Sequence, residues 1–129
     1  MNLQTEQTQN GYIRVAFATT NLEDIDAHFG SAKRFYVFDV SKDQYRASRI
    51  IEIKEKDTDY TIASLYGIDV VYFVDIGPAA AAKLINHGLF PIKYKEIIKI
   101  EDELNKLTKM LGSNPPPFIK KIVEKKAAK

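Results

Sequence analysis

Residues 13–18, Ile-Arg-Val-Ala-Phe-Ala, form an apolar run of strand length, and the polar residues from Thr19 to Asp26 stop it. Phe35-Tyr36-Val37-Phe38-Asp39-Val40 predicts a second strand and residues 47–54 a third, joined as a β-hairpin by the polar turn Ser41-Lys42-Asp43-Gln44. Asp57-Thr58-Asp59 supplies capping chemistry for a short helix to about Tyr66, which Gly67 ends. The run Val70-Val71-Tyr72-Phe73-Val74 is continuous rather than alternating, as in a central strand covered by helices on both faces. Gly77-Pro78 opens a helix over residues 79–86 with proline where a helix tolerates it, and His87-Gly88 closes it. Phe90-Pro91-Ile92-Lys93-Tyr94 is a last short strand whose proline argues for an edge. A helix over residues 100–111 places Ile100, Leu104, Leu107 and Leu111 on one face. Gly112-Ser113-Asn114-Pro115-Pro116-Pro117 stops it, and the basic segment from Phe118 is a candidate helix.

The order β-β-β-α-β-α-β-α describes an α/β fold. A three-stranded antiparallel meander passes through right-handed crossovers into parallel strands, giving a five-stranded mixed sheet of expected order 3-2-1-4-5. No repeat and no second folded domain is visible. In a meander the third strand runs parallel to the first, so the ends of strands one, three and four reach one edge. His28, the 54–60 loop and Gly77-Pro78 should share that edge with two helix N-termini, whose free N–H groups and positive dipole ends favour an anion. His87 ends a helix that runs back across the sheet, carrying it about 14 Å to the opposite edge at 1.5 Å per residue. The two histidines should therefore not share a metal.

A chain of 129 residues can bury a core without disulfide or metal staples, and no apolar run approaches the roughly 18 residues of a membrane span. Residues 1–11 are polar and lack the basic start and apolar stretch of a secretory signal, which reads as a disordered extension on a cytoplasmic protein. The remainder divides into an α/β domain, 12–112, and a Pro-rich linker with a basic tail, 113–129. Zero cysteine excludes disulfide frameworks, thiol catalysis, Cys-type zinc sites and self-built Cys-ligated clusters. The net charge of +2 conceals the lysines 120, 121, 125, 126 and 129 at the end of the chain. Such a tail suits either an acidic partner or solvent, and without accompanying aromatic or Arg-rich surface nucleic acid is not expected.

The chemistry concentrates in Asp26-Ala27-His28-Phe29-Gly30, just past a strand end where open α/β sheets carry binding loops. His28 is the candidate metal ligand; the alternative is a hydrogen-bonding surface residue. Asp24 and Asp26 could orient its ring or add oxygen ligands, or serve as turn residues. Lys33 and Arg34 are candidate anion contacts. Ser31 lies too close along the same loop for in-line nucleophilic geometry with His28, and no oxyanion motif is evident. Gly77-Pro78-Ala79-Ala80 lacks the Lys-Ser/Thr of a P-loop and the spaced glycines of a dinucleotide fingerprint. His87 reads as a helix C-terminal residue, and the tyrosines as sheet and core-edge residues.

These pieces resemble the nitrogenase iron-molybdenum cofactor biosynthesis family, the NifX and NafY type of cofactor carrier, over residues 12–123. The likeness rests on Val15-Ala16-Phe17-Ala18-Thr19 leading into Ile25-Asp26-Ala27-His28-Phe29-Gly30-Ser31-Ala32, on Asp69-Val70-Val71-Tyr72 and Ile76-Gly77-Pro78-Ala79-Ala80-Ala81, and on Gly88-Leu89-Phe90-Pro91-Ile92-Lys93. Asn114-Pro115-Pro116-Pro117-Phe118-Ile119-Lys120 narrows it to the NifX branch. The resemblance implies a ribonuclease H-like three-layer fold, although no acidic nuclease cluster is present. It also implies a non-enzymatic carrier that binds the iron-molybdenum cofactor or its iron-sulfur precursor and exchanges it with assembly scaffold proteins. His28 would be the metal ligand, with Asp26, Phe29, Gly30, Ser31, Gly77 and Pro78 around the cargo. Many relatives have cysteine where this chain has Ile68, a departure that removes a candidate second ligand. The competing reading is an interaction or regulatory module of an assembly complex that binds no cluster.

Overall fold

The computed structural model describes residues 11–127, so most of the expected N-terminal extension, and Lys129, lie outside the described residues. Strands β1 (Ile13–Ala18), β3 (Arg34–Val40), β4 (Tyr45–Glu52), β5 (Val70–Phe73) and β6 (Phe90–Lys93) form one mixed sheet in the order β4-β3-β1-β5-β6. The numbering differs from 3-2-1-4-5 because a two-residue strand, β2 (Asp24–Ile25), enters the count before β3. β2 pairs antiparallel with β7 (Ile98–Lys99) in a second small sheet. Two residues carry no readable periodicity, so neither strand was expected from the pattern.

Alternation along each strand divides the core into two layers. Ala16, Val37, Val71 and Phe73 face one side, where Ile62 of α1 (Thr58–Ser64) and Leu84 of α2 (Pro78–Asn86) cover them. Val15, Phe17, Phe38 and Tyr72 face the other, beneath Leu104 and Leu107 of α3 (Ile100–Gly112) and Ile119 of α4 (Pro117–Ala127). β5 is buried at every position, as its unbroken apolar run requires. Pro91 sits in the edge strand β6, where its missing N–H costs no ladder bond.

Three expectations shift. The third strand begins at Tyr45 rather than 47, because Ser41 closes the turn tightly. Its N–H donates to the Gln44 carbonyl at 2.8 Å, and its Oγ accepts from the N–H groups of Asp43 and Gln44. Helix α1 stops at Ser64 rather than near Tyr66, since the Leu65 N–H bonds the Ile62 carbonyl and Gly67 turns with φ +83°. The candidate helix from Phe118 is present as α4, but it is packed rather than a solvated tail: Ile119 is fully buried and Phe118 stacks on Phe90 at 4.3 Å.

Candidate functional site

β1, β5 and β6 run parallel, so their C-terminal ends open on one sheet edge. The loop carrying His28 is fastened there from both sides of that residue. The Phe29 N–H donates to the Asp75 carbonyl at 2.8 Å, and the Val74 N–H donates to the Ala27 carbonyl at 2.9 Å. The Phe29 ring enters the core between Phe35 and Phe73, with centroids 5.8 and 5.9 Å away. Phe29 thus anchors the loop instead of facing outward. His28 precedes a short 3-10 turn, Phe29–Ser31, in extended conformation; its exposed side chain makes no capping hydrogen bond.

Asp75 lies beside it. Its carboxyl is held below the usual carboxylate range first by the Ile76 N–H at 2.8 Å, then by the Lys93 ammonium at 3.4 Å, with a smaller contribution from His28. Neither Asp75 nor Lys93 was singled out from sequence. Their one readable signal is position, since each lies at or just past the C-terminal end of a parallel strand. Ser31 is exposed on the same turn. Gly30 and Gly77 are exposed without positive φ, and a Cβ on either would meet nothing within 4 Å. Neither glycine is demanded by backbone conformation or packing, and both leave main chain open to approach. Gly77 caps α2 without a side-chain bond, and Pro78 occupies its first turn.

Several sequence candidates are committed elsewhere. Asp26 closes its own loop, accepting from the Thr20 N–H at 2.8 Å and the Thr20 hydroxyl at 2.6 Å. Asp24 accepts from the Asn21 amide. Arg34 donates to the Thr20 carbonyl at 2.6 Å and pairs with Glu52, so it is not an open anion contact. The N-terminus of α1 already holds the Asp57 carboxylate, which accepts from the Asp59 N–H; of the two helix ends expected to attract an anion, α2 alone lacks a side-chain cap. Ile68 is buried just before β5, about 17 Å from the strand's far end at 3.3 Å per residue. A cysteine there would not reach His28, so this departure takes no ligand from the His28 edge. His87 lies at the other end of α2, its Nδ1 2.8 Å from the Lys83 carbonyl.

Among the described residues no group of three or more His, Asp or Glu side chains could enclose a metal ion. The edge offers instead one exposed imidazole, one ionised carboxylate, one ammonium and a helix N-terminus. No helix among the described residues is long and apolar enough to cross a membrane.

Residues 11–110 match the family model described as dinitrogenase iron-molybdenum cofactor. Protein NifX of Sinorhizobium fredii is 30% identical, the match covering 95% of this chain and 87% of the relative. Protein NifX of Rhodobacter capsulatus is 32% identical, over 86% of this chain and 77% of the relative. A solved structure from Methanocaldococcus jannaschii, described as a candidate dinitrogenase, superposes with a TM-score of 0.59 at 10% identity, over 78% of this chain and 91% of that one, a likeness of fold. With its family model matched across both core layers and two NifX relatives aligned over most of its length, the chain belongs to the dinitrogenase iron-molybdenum cofactor family.

Proposed function

We propose that this protein serves nitrogenase cofactor biosynthesis as a non-catalytic carrier in the cytoplasm. It takes the iron-molybdenum cofactor, or its iron-sulfur precursor, as cargo on the His28 edge and exchanges it with assembly scaffold proteins. Residues 12–112 hold the cargo, on a sheet of ribonuclease H-like type. The observation that carries this reading is the exposed His28 imidazole, pinned by backbone bonds on both sides while its ring makes no capping bond. A preassembled cluster needs a docking point rather than a cage, and a cargo that must leave is best met by few ligands.

The neighbouring groups fit that role. The N-terminus of α2 adds about 0.3–1 kcal/mol of attraction for an anionic cluster. Gly30 and Gly77 permit close approach of the main chain, and Lys93 brings a cation beside Asp75. Ser31, Pro78 and the Asp26-closed loop border the same edge.

Anaerobic titration of the purified protein with the iron-sulfur precursor, followed by visible absorption, should give a stoichiometric coloured complex. Absence of binding by both the precursor and the mature cofactor would overturn the carrier reading and leave a regulatory interaction module.

A further inference from the structure

At the opposite end of the sheet from His28, three arginines gather on one face around one carboxylate. Arg14 lies opposite Asp39 across β1 and β3, and Asp39 lies opposite Arg46 across β3 and β4. Arg49 joins them through a backbone irregularity. Three residues separate 46 from 49, so a regular strand would send their side chains to opposite faces. The register of β4 shifts between Val37 and Phe38, where Ala47 pairs with Phe38 and Arg49 with Val37, leaving Ser48 as an extra, bulged residue. The bulge returns Arg49 to the face of Arg14 and Asp39, the re-aiming of a side chain that such insertions produce.

Arg49 makes no ion pair among the described residues. Arg14 Nε donates to Asp39 Oδ1 at 2.8 Å and its Nη2 to Oδ2 at 3.4 Å, and Arg46 Nε lies 3.8 Å from the same Oδ2, so Asp39, only 6% exposed at the side chain, is shared between Arg14 and Arg46. Arg49 bonds a neutral group, donating from Nη2 to the Tyr66 carbonyl at 3.3 Å. Its guanidinium is pushed below the ordinary arginine value first by burial and then by the charge of Arg14, with Asp39 opposing. Gly67, at φ +83°, presents no side chain over this patch; a Cβ there would stand 3.8 Å from Arg14 Nη1. Nη1 of Arg14 and the remaining N–H groups of Arg49 have no partner among the described residues.

We propose that Arg14 and Arg49, brought together by the bulge at Ser48, form a binding site for a carboxylate or phosphate oxyanion. Planar guanidinium groups suit such an anion because their paired N–H donors match its oxygens, and a bound anion would offset the repulsion between the two cations. Arg14 lies four residues from the His28 end of β1, about 13 Å at 3.3 Å per residue, so this site is separate from the proposed cargo edge. A free anion and an acidic segment of a protein partner present the same oxygens to the two guanidinium groups, and both sources share this recognition chemistry.

The test uses the full chain, with 15N NMR of the arginine side chains during titration with inorganic phosphate and, separately, with a Glu-rich hexapeptide, against chloride at equal ionic strength. Saturable shifts of the Arg14 and Arg49 resonances are expected with at least one of the two. Response to phosphate identifies a free anion, and response to the peptide alone identifies a protein source. Arg49→Gln should weaken that binding at least tenfold while the amide spectrum stays folded, and Lys121→Gln, on α4, should bind like the parent. No saturable response to either probe, or an Arg49→Gln protein that binds like the parent, would overturn the site.

Discussion

His28 and His87 stand in similar company, each close before a glycine, yet the chain uses their rings differently. His87 Nδ1 is tied to the Lys83 carbonyl at the end of α2, whereas the His28 ring makes no capping bond. His28→Ala should abolish cluster binding and leave unfolding free energy within about 0.5 kcal/mol of the parent, because no core contact is lost. His87→Ala should bind the cluster normally and lose a few tenths of a kcal/mol at the helix end. Parallel anaerobic titrations and urea melts of the two variants separate these outcomes; an essential His87 would place the cargo at the wrong edge. His28 was legible in sequence because a polar loop directly after an apolar run is readable. Asp75, Lys93 and Arg49 were not, since two acquire their role from strand ends meeting in space and the third from a bulge that no alternation rule anticipates.

Among the elements, those with a sustained period could be read: the buried run of β5, the proline-marked edge strand, and α3 with Ile100, Leu104 and Leu107 on its buried face. What escaped was short or compositionally disguised. β2 and β7 hold two residues each, and the lysines of α4 read as a tail although Ile119 is inserted beneath them into the core. Three prolines end α3's approach and pre-set the first turn of α4, so the same residues that suggest a linker also start a helix. α4 is further tied to the body by Lys126, whose ammonium lies 2.7 Å from Asp69. Ile119→Ala should therefore cost about 2–5 kcal/mol, as for a buried aliphatic side chain, measured by urea unfolding. A cost below about 0.5 kcal/mol would show that α4 is a dispensable tail.

At the scale of the whole molecule, the sheet is joined to α3 by a buried polar contact that makes its stability sensitive to alkali. The Tyr94 hydroxyl donates to Glu103 Oε1 at 2.8 Å, while the Tyr72 hydroxyl is buried beside the same carboxylate but outside good hydrogen-bond geometry. Burial, and after it the Glu103 carboxylate, pushes the Tyr72 phenol far upward; burial and the same carboxylate raise Tyr94. The unfolded chain releases these protons near the ordinary tyrosine value of about 10, whereas the folded protein keeps them. Their contribution is therefore fully present below about pH 10 and is lost as pH rises above it. Removing one partner of this contact and removing the orphan hydroxyl should have opposite effects. Tyr94→Phe leaves the buried Glu103 carboxylate without its donor, a loss of about 1–3 kcal/mol at pH 7. Tyr72→Phe removes a buried hydroxyl that makes no bond, so stability at pH 7 should hold or rise and the decline above pH 10 should become shallower. Urea unfolding followed by circular dichroism from pH 7 to about 11 measures both, and a Tyr72→Phe protein that loses stability at pH 7 would mean the hydroxyl has a partner after all.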